Sequence, residues 1–310
     1  MTTNTFENDI IEGLQLSPKK LYSKYFYDDR GSAIFQQIMR MPEYYLPECE
    51  TEILQHRATD IIGILPQAGY DIVELGAGDG SKTAFFLEAL VRKKKNITYI
   101  PLDISPEILA VNKNIVQQKL PDLCIKPIAG DYFETLEKIT SRKVPKIILF
   151  LGSNIGNFEG EKALDFIRFV KNFMRKGDYF MLGVDLKKHP RTILAAYDDP
   201  AGITRSFNLN LLERINRELS GNFDTALFDH YASYDPISGA TKSFLISKIQ
   251  QQVSVADQII NFSANEAIHM EVSQKYSLED LDQIRMQAGF KSDHHFTDTK
   301  SYFSISLFEL

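Results

Sequence analysis

The sequence predicts an α/β protein built on a doubly wound, mostly parallel β-sheet, together with a second and smaller lobe. From about residue 49, helical patterns alternate with short β-rich runs, which is typical of a parallel sheet covered by helices on both faces. Several of these runs are almost continuously apolar, as strands buried on both faces need to be. The chain has 310 residues, of which 44% are hydrophobic and 25% charged, so it is long enough to bury such a sheet.

Five segments are the candidate strands of this sheet. Each is short and rich in apolar or β-branched residues, and helical patterns separate them, as the crossovers of a parallel sheet require. The segments are 71–75, 98–102, 123–128, 146–150 and 179–184.

The C-terminal part predicts one helix followed by a strand pair. Ser277-Leu-Glu-Asp280 has the pattern of a capping box, and Gly289 suits the position just after a helix end. A helix is therefore expected over 277–288. The segments 290–296 and 302–308 flank a short polar turn, which predicts an antiparallel pair at the edge of the sheet.

The predicted sheet occupies only part of the chain. The alternating pattern accounts for residues 49–187 and 276–310. Residues 1–48 and 188–275 do not follow it, and Pro200-Ala-Gly202 marks a change of organisation in the second of these segments. We therefore expect a core formed by the first two ranges and a smaller lobe formed by the other two.

Composition excludes several classes of function. The formal net charge of -6 argues against a nucleic-acid partner. Cys49 and Cys124 lie far apart without neighbouring histidines, so neither a disulfide framework nor a metal site is expected. The N-terminus lacks the pattern of a secretion signal, and no apolar run reaches the roughly 18 residues of a membrane helix. We expect a cytoplasmic monomer without a membrane partner.

The most informative stretch follows the first predicted strand. Gly76, Gly78 and Gly80 stand between a buried strand and a helix, where backbone amides can approach a ligand closely. A dinucleotide fingerprint would require glycine where this chain has Ser81, and an acidic Glu74 precedes the loop. The pattern favours a sulfonium-bearing nucleoside over a pyrophosphate, and so argues against a nicotinamide dehydrogenase.

Polar residues also follow the second and third predicted strands. Asp103 ends the second strand, where a carboxylate can accept both ribose hydroxyls of an adenosine. Asp131 and Tyr132 follow the third strand, where they can hydrogen-bond and pack against an adenine. Each could instead be an ordinary cap or turn residue. Their occurrence at successive strand ends favours the ligand site, because ligands bind at the carboxyl edge of such sheets.

Several further blocks recur in order along nearly the whole chain and resemble one family, the histidine N-alpha-methyltransferases of ergothioneine biosynthesis, with fungal relatives that methylate a prenylated tryptophan. The resemblance implies a class I methyltransferase (Rossmann-like) sheet and S-adenosylmethionine (SAM) as the cofactor. Besides the glycine loop, the blocks are Phe26-Tyr-Asp-Asp-Arg-Gly-Ser32, Met41-Pro-Glu-Tyr-Tyr45, Phe150-Leu-Gly-Ser-Asn-Ile-Gly-Asn157, Ala196-Tyr-Asp-Asp199 with Ala201-Gly202, Asn216-Arg-Glu-Leu219 and Glu271-Val-Ser273.

The resemblance also implies which residues bind the cofactor and which bind the substrate. The cofactor-binding positions are Gly76, Lys82, Asp103, Asp131 and Tyr132, to which the loop position Gly78 is added. The substrate-binding positions are Tyr44, Asn157, Tyr197, Glu271 and Ser273, with Tyr27 close to the reacting amine. Tyr27 and Asn157 are the residues expected at the reacting groups.

The chemistry fits these residue types. Methyl transfer needs an amine with a free lone pair aligned behind the methyl carbon. A phenol with an ordinary pKa of about 10 is a weak base at neutral pH, so Tyr27 is expected mainly to orient the amine. The Asn157 amide can bridge an α-amino and an α-carboxylate group. Glu271 and Ser273 lie two apart on an extended pattern and would face the same way, so that both can engage one imidazole.

One position departs from the family. Where the histidine enzymes carry a methionine, the closest counterpart here is Ser243. We expect an enzyme that transfers one or more methyl groups from SAM to the α-amino group of an amino acid, with L-histidine as the first candidate and its trimethyl betaine as the product. The alternatives are an N-methyltransferase for a different amino acid or small amine, and a non-catalytic SAM-binding protein.

Overall fold

A computed structural model describes residues 3–66, 69–93, 96–139 and 144–310. The chain divides into two compact units. The larger unit comprises Leu46–Lys187 and Gln274–Leu310, and the smaller unit comprises Met1–Tyr45 and Lys188–Ser273. The boundaries inferred from the sequence lie at 49, 188 and 276, and those of the structure lie at 46, 188 and 274.

Strands and helices are numbered along the chain. The strands are β1 (Lys19–Lys20), β2 (Tyr70–Leu75), β3 (Ile97–Asp103), β4 (Cys124–Ile125), β5 (Ile128–Ala129), β6 (Lys146–Phe150), β7 (Tyr179–Asp185), β8 (Phe228–Tyr234), β9 (Ala240–Ser247), β10 (Gln251–Val255), β11 (Gln258–Phe262), β12 (Ala267–Gln274), β13 (Ser292–Thr297) and β14 (Phe303–Glu309). The α-helices are α1 (Thr3–Gln15), α2 (Asp29–Ile38), α3 (Leu46–His56), α4 (Ala58–Ile64), α5 (Thr83–Arg92), α6 (Pro106–Lys119), α7 (Tyr132–Thr135), α8 (Lys162–Lys171), α9 (Pro190–Tyr197), α10 (Ile203–Glu218) and α11 (Leu278–Ala288).

The larger unit contains one sheet with the strand order β13-β14-β7-β6-β2-β3-β4, and β5 also pairs with β3. Pairs among β2, β3, β6 and β7 are parallel. By contrast, β14 runs antiparallel to both β7 and β13. This arrangement confirms the predicted doubly wound α/β class and the antiparallel strand pair at its edge.

The central strands form because most of their side chains are apolar and buried. All positions of β2, β6 and β7 are buried, including Ile72, Ile148 and Leu182 at 0% exposure. Strands covered on both faces need this composition, which is why their predicted ends lie within one residue of the observed ones.

The third strand was predicted to be continuous, and this prediction is wrong. In place of one strand over 123–128, the chain forms the two short strands β4 (Cys124–Ile125) and β5 (Ile128–Ala129). Lys126 and Pro127 separate them and both are exposed. Proline has no amide to donate to a neighbouring strand, so the ladder is interrupted there. The Lys126 amide still donates to the Tyr99 carbonyl at 2.8 Å, which keeps the segment along β3.

The C-terminal helix α11 has the predicted caps. The Asp280 amide donates to Ser277 Oγ at 3.1 Å, and the Ser277 amide donates to Asp280 Oδ2 at 2.8 Å. Gly289 ends the helix with φ 78°, a left-handed conformation that favours glycine. Lys171 Nζ donates to the Ala288 carbonyl at 2.8 Å, as expected for a cation at a helix C-terminus.

The chain leaves the sheet after β7 and returns to it before α11 at neighbouring points. Leu186 forms a parallel bridge with Tyr276, and the Lys187 amide donates to the Tyr276 carbonyl at 2.8 Å. Nearby, Lys275 Nζ lies 2.8 Å from Asp185 Oδ2. Residues 188–273 therefore begin and end at a single place in the larger unit.

The smaller unit has a four-stranded sheet in the order β1-β12-β9-β8 and a separate hairpin formed by β10 and β11. Strands β8 and β9 are antiparallel, whereas β1 and β12 are parallel. Its own core draws apolar residues from α1, α2, α10 and the strands, among them Phe6, Ile10, Phe207 and Leu245. These residues give the smaller unit a core distinct from that of the larger unit.

Candidate functional site

The glycine loop, residues 76–80, leads from β2 into α5. Gly76, Gly78 and Gly80 all have positive φ values, of 66°, 53° and 72°. A Cβ built on Gly80 would lie 2.6 Å from the Asn112 side chain, so position 80 needs glycine for space as well as for conformation. A Cβ built on Gly78 meets none of the described atoms within 4 Å, so the loop faces open space there.

Asp103 lies at the end of β3 and is bonded to this loop. Its Oδ2 accepts a hydrogen bond from the Gly78 amide at 3.1 Å, and its Oδ1 accepts one from the Ser105 amide at 3.1 Å. Each carboxylate oxygen has a second lone pair for a ligand hydroxyl. The structure therefore brings the predicted ribose residue and the predicted loop together.

Lys82 forms an ion pair with Glu50, a residue that the sequence analysis missed. Glu50 has 0% exposure, and its Oε1 accepts from the Gly152 amide at 2.6 Å. A Cβ at position 183 in β7 would lie 2.7 Å from the same oxygen, so Gly183 makes room for this carboxylate. The sequence does hold a signal for Glu50, because it stands within the apolar face of α3.

Asp131 and Tyr132 follow β5, next to the end of β3, where the Gly130 amide donates to the Asp103 carbonyl at 2.9 Å. Asp131 Oδ1 accepts from the Phe133 amide at 2.8 Å and caps α7. The Tyr132 ring lies 5.6 Å from the ring of Phe166. Burial, followed by the nearby Asp131 carboxylate, raises the pKa of Tyr132 to about 12, so its hydroxyl stays neutral.

Asn157 ends a short helical turn, Asn154–Asn157, that follows β6. Two close contacts fix the segment. Ser153, with φ 60°, accepts a hydrogen bond on its Oγ from the Asp185 amide at 2.9 Å. A Cβ at Gly156 would lie 2.7 Å from the Gln274 carbonyl oxygen. Asn157 itself is exposed, so its amide is available to a ligand.

The other predicted substrate residues belong to the smaller unit, and the structure groups them. The Tyr197 hydroxyl and Ser273 Oγ are hydrogen-bonded at 2.9 Å in a buried position. The Tyr44 ring centroid lies 6.4 Å from that of Tyr197. Glu271 precedes Ser273 by two residues on β12, so both side chains leave the same face of the strand.

Tyr27 belongs to the same group. Desolvation, followed by the Glu271 carboxylate and the Tyr44 and Tyr197 hydroxyls, raises the pKa of Tyr27 well above its usual value. The residue is 46% exposed, which weakens the desolvation effect, but the phenol is protonated at neutral pH in either case. The ring packs edge-on against Phe35 and Phe207 at centroid distances of 5.4 and 5.5 Å.

Two aspartates anchor the backbone of the sequence blocks that contain Tyr27 and Tyr197. Asp28 caps α2 through the Gly31 amide at 2.7 Å and also accepts from Asn210 at 2.8 Å and from Arg217. Desolvation raises the pKa of Asp28, but these hydrogen bonds outweigh it and lower the pKa below its usual value. Asp199 accepts from the amides of Ile203 and Thr204 at the start of α10. These anchors fix the backbone that carries the two tyrosines.

Ser243 lies on β9, the strand next to β12. It is 2% exposed and faces Ala232 across the β8–β9 pair. Two small residues therefore stand side by side, Ser243 on the strand next to the one carrying Glu271 and Ala232 one strand further away.

Two further kinds of feature are absent from the part of the chain that the structure describes. Among the described residues, no group of three or more histidine, cysteine, aspartate or glutamate side chains could hold a metal ion. Within the same part of the chain, none of the helices combines the length and the apolar character that a membrane crossing requires.

These features define a class of protein. The parallel sheet with the reversed strand β14 beside β7, the glycine loop after β2 and the Asp103 carboxylate after β3 are the parts of a SAM-dependent methyltransferase on a doubly wound sheet. The open space at Gly78 and the remaining lone pairs of Asp103 fit the adenosine part of that cofactor.

Comparison with known proteins identifies the family. A family model described as "Histidine-specific methyltransferase, SAM-dependent" matches residues 6–310, and the chain belongs to this family. Histidine N-alpha-methyltransferase of Mycolicibacterium smegmatis is 36% identical over 96% of this chain and 93% of its own length. The protein of the same name from Mycobacterium tuberculosis is 35% identical over 96% of this chain and 93% of its own length.

A longer relative also matches. Ergothioneine biosynthesis protein 1 of Neurospora crassa is 31% identical over 92% of this chain, which spans 32% of that protein. Among solved structures, a SAM-dependent methyltransferase from Clostridium acetobutylicum aligns with 91% of this chain and 98% of its own, with a TM-score of 0.44 and 13% identity.

Proposed function

We propose that this protein transfers methyl groups from SAM to the α-amino group of L-histidine and gives N-alpha-trimethylhistidine (hercynine), a step of ergothioneine biosynthesis. The observation that carries the proposal is the grouping of Tyr27, Tyr44, Tyr197, Glu271 and Ser273, which places one carboxylate among hydroxyl groups and aromatic rings. Such a set suits a small ligand with both a hydrogen-bonding ring and an amine.

The glycine loop and the strand ends after it are assigned to the cofactor, which supplies a methyl group on a sulfonium. Asp103 would accept the ribose hydroxyls with the lone pairs that the Gly78 and Ser105 amides leave available. Asp131 would accept from the adenine amino group and Tyr132 would pack against the ring. Gly76 and Gly78 allow the close approach, and Lys82 is held at the loop by Glu50.

Glu271 and Ser273 are assigned to the imidazole. A carboxylate accepts strongly from an imidazole N–H, and a hydroxyl can serve the second ring nitrogen in either tautomer. The Tyr197–Ser273 hydrogen bond holds the two hydroxyl groups together, so the pair can distinguish a ring with two nitrogens from an apolar side chain.

Tyr27, Tyr44 and Asn157 are assigned to the amino-acid end of the substrate. The Asn157 amide would bridge the α-amino and α-carboxylate groups. Because the Tyr27 phenol stays protonated at neutral pH, its oxygen would accept an N–H of the amine and so orient the amine, and the residue would not act as the general base. The amine must lose its proton before each transfer, so that a free lone pair faces the methyl carbon.

A second candidate is methylation of another amino acid or amine. The buried Ser243 on β9, the strand next to β12, favours it, because this serine and its small neighbour Ala232 on β8 leave more room than larger side chains would. A location in the cytoplasm and a monomeric state complete the proposal, and light scattering on the purified protein tests the latter.

The proposal is tested by mass spectrometry of the protein incubated with SAM and the twenty amino acids in competition. Each methyl group adds about 14 mass units, so trimethylation adds about 42, as expected for transfer from a group-carrying cofactor. A trimethylated product from histidine alone supports the proposal. Conversion of a different amino acid would replace histidine as the substrate, and SAM binding without any product would contradict catalysis.

A further inference from the structure

A buried network under the glycine loop is not explained by contacts with a ligand. It joins Glu74 on β2, Tyr99 on β3 and Asn112 on α6, whose exposures are 4%, 0% and 0%. The Tyr99 hydroxyl donates to Glu74 Oε2, and Thr83 Oγ1 donates to Glu74 Oε1 at 2.5 Å. Polar groups this deeply buried are costly unless they are paired, so each contact of the network restricts the geometry of the next.

Asn112 is the member of the network that contacts the loop. Its Nδ2 lies 3.0 Å from the Gly78 carbonyl oxygen, 3.4 Å from that of Ala77 and 3.2 Å from the Tyr99 hydroxyl. Because all three neighbours are oxygens, and Tyr99 already donates to Glu74, the amide nitrogen must be the donor here.

The loop backbone between Ala77 and Gly78 is therefore held from both sides. The Ala77 amide donates to the Leu102 carbonyl at 3.0 Å, and the Gly78 amide donates to Asp103 at 3.1 Å. The two carbonyls of the same residues accept from Asn112. All four backbone groups are thus paired in one conformation, and displacement of the loop would also displace the bond that orients Asp103.

Packing reinforces this arrangement. A Cβ built on Gly80 would meet the Asn112 side chain at 2.6 Å, so the flat amide lies directly against the loop. Stability alone does not account for an asparagine here, because its Oδ1 has no hydrogen-bond partner among the described residues and a buried unpaired oxygen destabilises the fold.

We propose that Asn112 is a positioning residue for the cofactor: its amide fixes the carbonyls of Ala77 and Gly78, and Tyr99 ties that amide to Glu74. Neither Asn112 nor Tyr99 needs to touch SAM for this role. The inference rests on the assignment of the cofactor to the glycine loop under the proposed function.

The experiment compares three variants with the wild type. Asn112→Leu keeps the branched shape of the side chain against Gly80 but removes the donor, and Tyr99→Phe removes only the hydroxyl that joins Asn112 to Glu74. Asn114→Leu, at an exposed position of the same helix, is the matched control. Calorimetric titration with SAM and with S-adenosylhomocysteine gives the dissociation constants, and thermal unfolding gives Tm.

We expect Asn112→Leu to weaken binding of both ligands about tenfold, the size expected for a lost hydrogen bond to a part-buried carbonyl, and Tyr99→Phe to weaken it about threefold. In steady-state assays of Asn112→Leu, the rise in KM for SAM should exceed the fall in kcat. Hydrogen exchange of the unliganded protein should be faster at the Gly78 amide, a readout that needs no cofactor.

Dissociation constants of Asn112→Leu and Tyr99→Phe within twofold of the wild type would overturn the inference. If Asn112→Leu does not fold, Tyr99→Phe decides alone, and unchanged binding with unchanged exchange at Gly78 would overturn it. A wild-type protein that binds neither SAM nor S-adenosylhomocysteine would overturn the proposed cofactor site and this inference together, whereas normal wild-type binding with unaffected variants overturns only the inference.

Discussion

Lys275 Nζ lies 2.8 Å from Asp185 Oδ2, and neither side chain has any exposed surface. Asp185 ends β7, and Lys275 follows β12, so this ion pair joins the two points at which the chain leaves and re-enters the larger unit. A charge at such a depth is tolerated only beside its partner, because removal from water is costly.

Replacement of one member of this pair should therefore be strongly destabilising. We expect Lys275→Met to lower the free energy of unfolding by about 3 kcal/mol or more, since it leaves the Asp185 carboxylate buried without its ammonium partner. Urea denaturation measures the change. Lys291→Met, at an exposed position of the larger unit, is the control. A loss similar to that of the control would contradict the importance of the pair.

Cofactor and substrate binding should respond separately to substitution. Asp103→Ala should weaken SAM at least tenfold and leave histidine binding nearly unchanged, since it removes the acceptors assigned to the ribose. Asn157→Ala should weaken histidine binding and leave SAM binding nearly unchanged. Calorimetric titration of each variant with each ligand checks this, with Asp122→Ala as an exposed control. If each variant lost affinity for both ligands to a similar degree, the two residues would not serve different ligands.

The imidazole assignment predicts a change of selectivity. Glu271→Gln should lower kcat/KM for histidine tenfold or more, because a charge-assisted hydrogen bond becomes a neutral one. It should affect an amino acid without a ring much less. Competition assays with the two substrates measure the ratio, and Glu161→Gln, exposed in the larger unit, provides the comparison. An unchanged ratio would show that Glu271 does not bind the ring.

Glu74 should make stability depend on pH. Burial raises its pKa from 4.5 to about 7, although the hydroxyls of Thr83 and Tyr99 and the Lys82 ammonium oppose the rise. Between pH 4.5 and about pH 7 the folded protein holds a proton on Glu74 that the unfolded chain releases. This carboxyl therefore lowers the stability of the fold progressively as pH rises through that range.

A neutral substitution should remove that contribution. Glu74→Gln keeps the shape and should gain stability relative to the wild type by about 2 to 3 kcal/mol between pH 4.5 and pH 8, as 1.36 kcal/mol for each pKa unit implies. Denaturation of both proteins across this range gives the difference. A difference that stays constant with pH would contradict a proton on Glu74.

The predictable parts of the fold are those set by local patterns. Continuous apolar runs located β2, β6 and β7, and the sequence from Ser277 to Gly289 specified both ends of α11. The glycine loop and Asp103 were likewise recognisable, because their positions at strand ends follow from the order of the strands. Pro127 interrupts a run that looked continuous, since one missing amide outweighs the apolar pattern around it.

Contacts between distant parts of the chain were not predictable in this way. Glu50 contacts the Gly152 amide across 102 positions, and Asn112 contacts Gly78 across 34. Each stands in an otherwise ordinary helix, and only the packing of that helix against the sheet reveals its partner. Such residues are recognisable in the sequence only as polar residues on an apolar face.

The bridge between Leu186 and Tyr276 has a consequence for how this enzyme family can diversify. Residues 188–273 start and finish at adjacent positions, as an insertion into a single surface loop does, and such insertions are the kind that folds tolerate best. The segment carries Tyr197, Ser243, Glu271 and Ser273. We therefore expect changes of length or sequence within it to leave the strand order of the sheet intact, so that the proposed acceptor residues can vary while the proposed cofactor loop stays fixed.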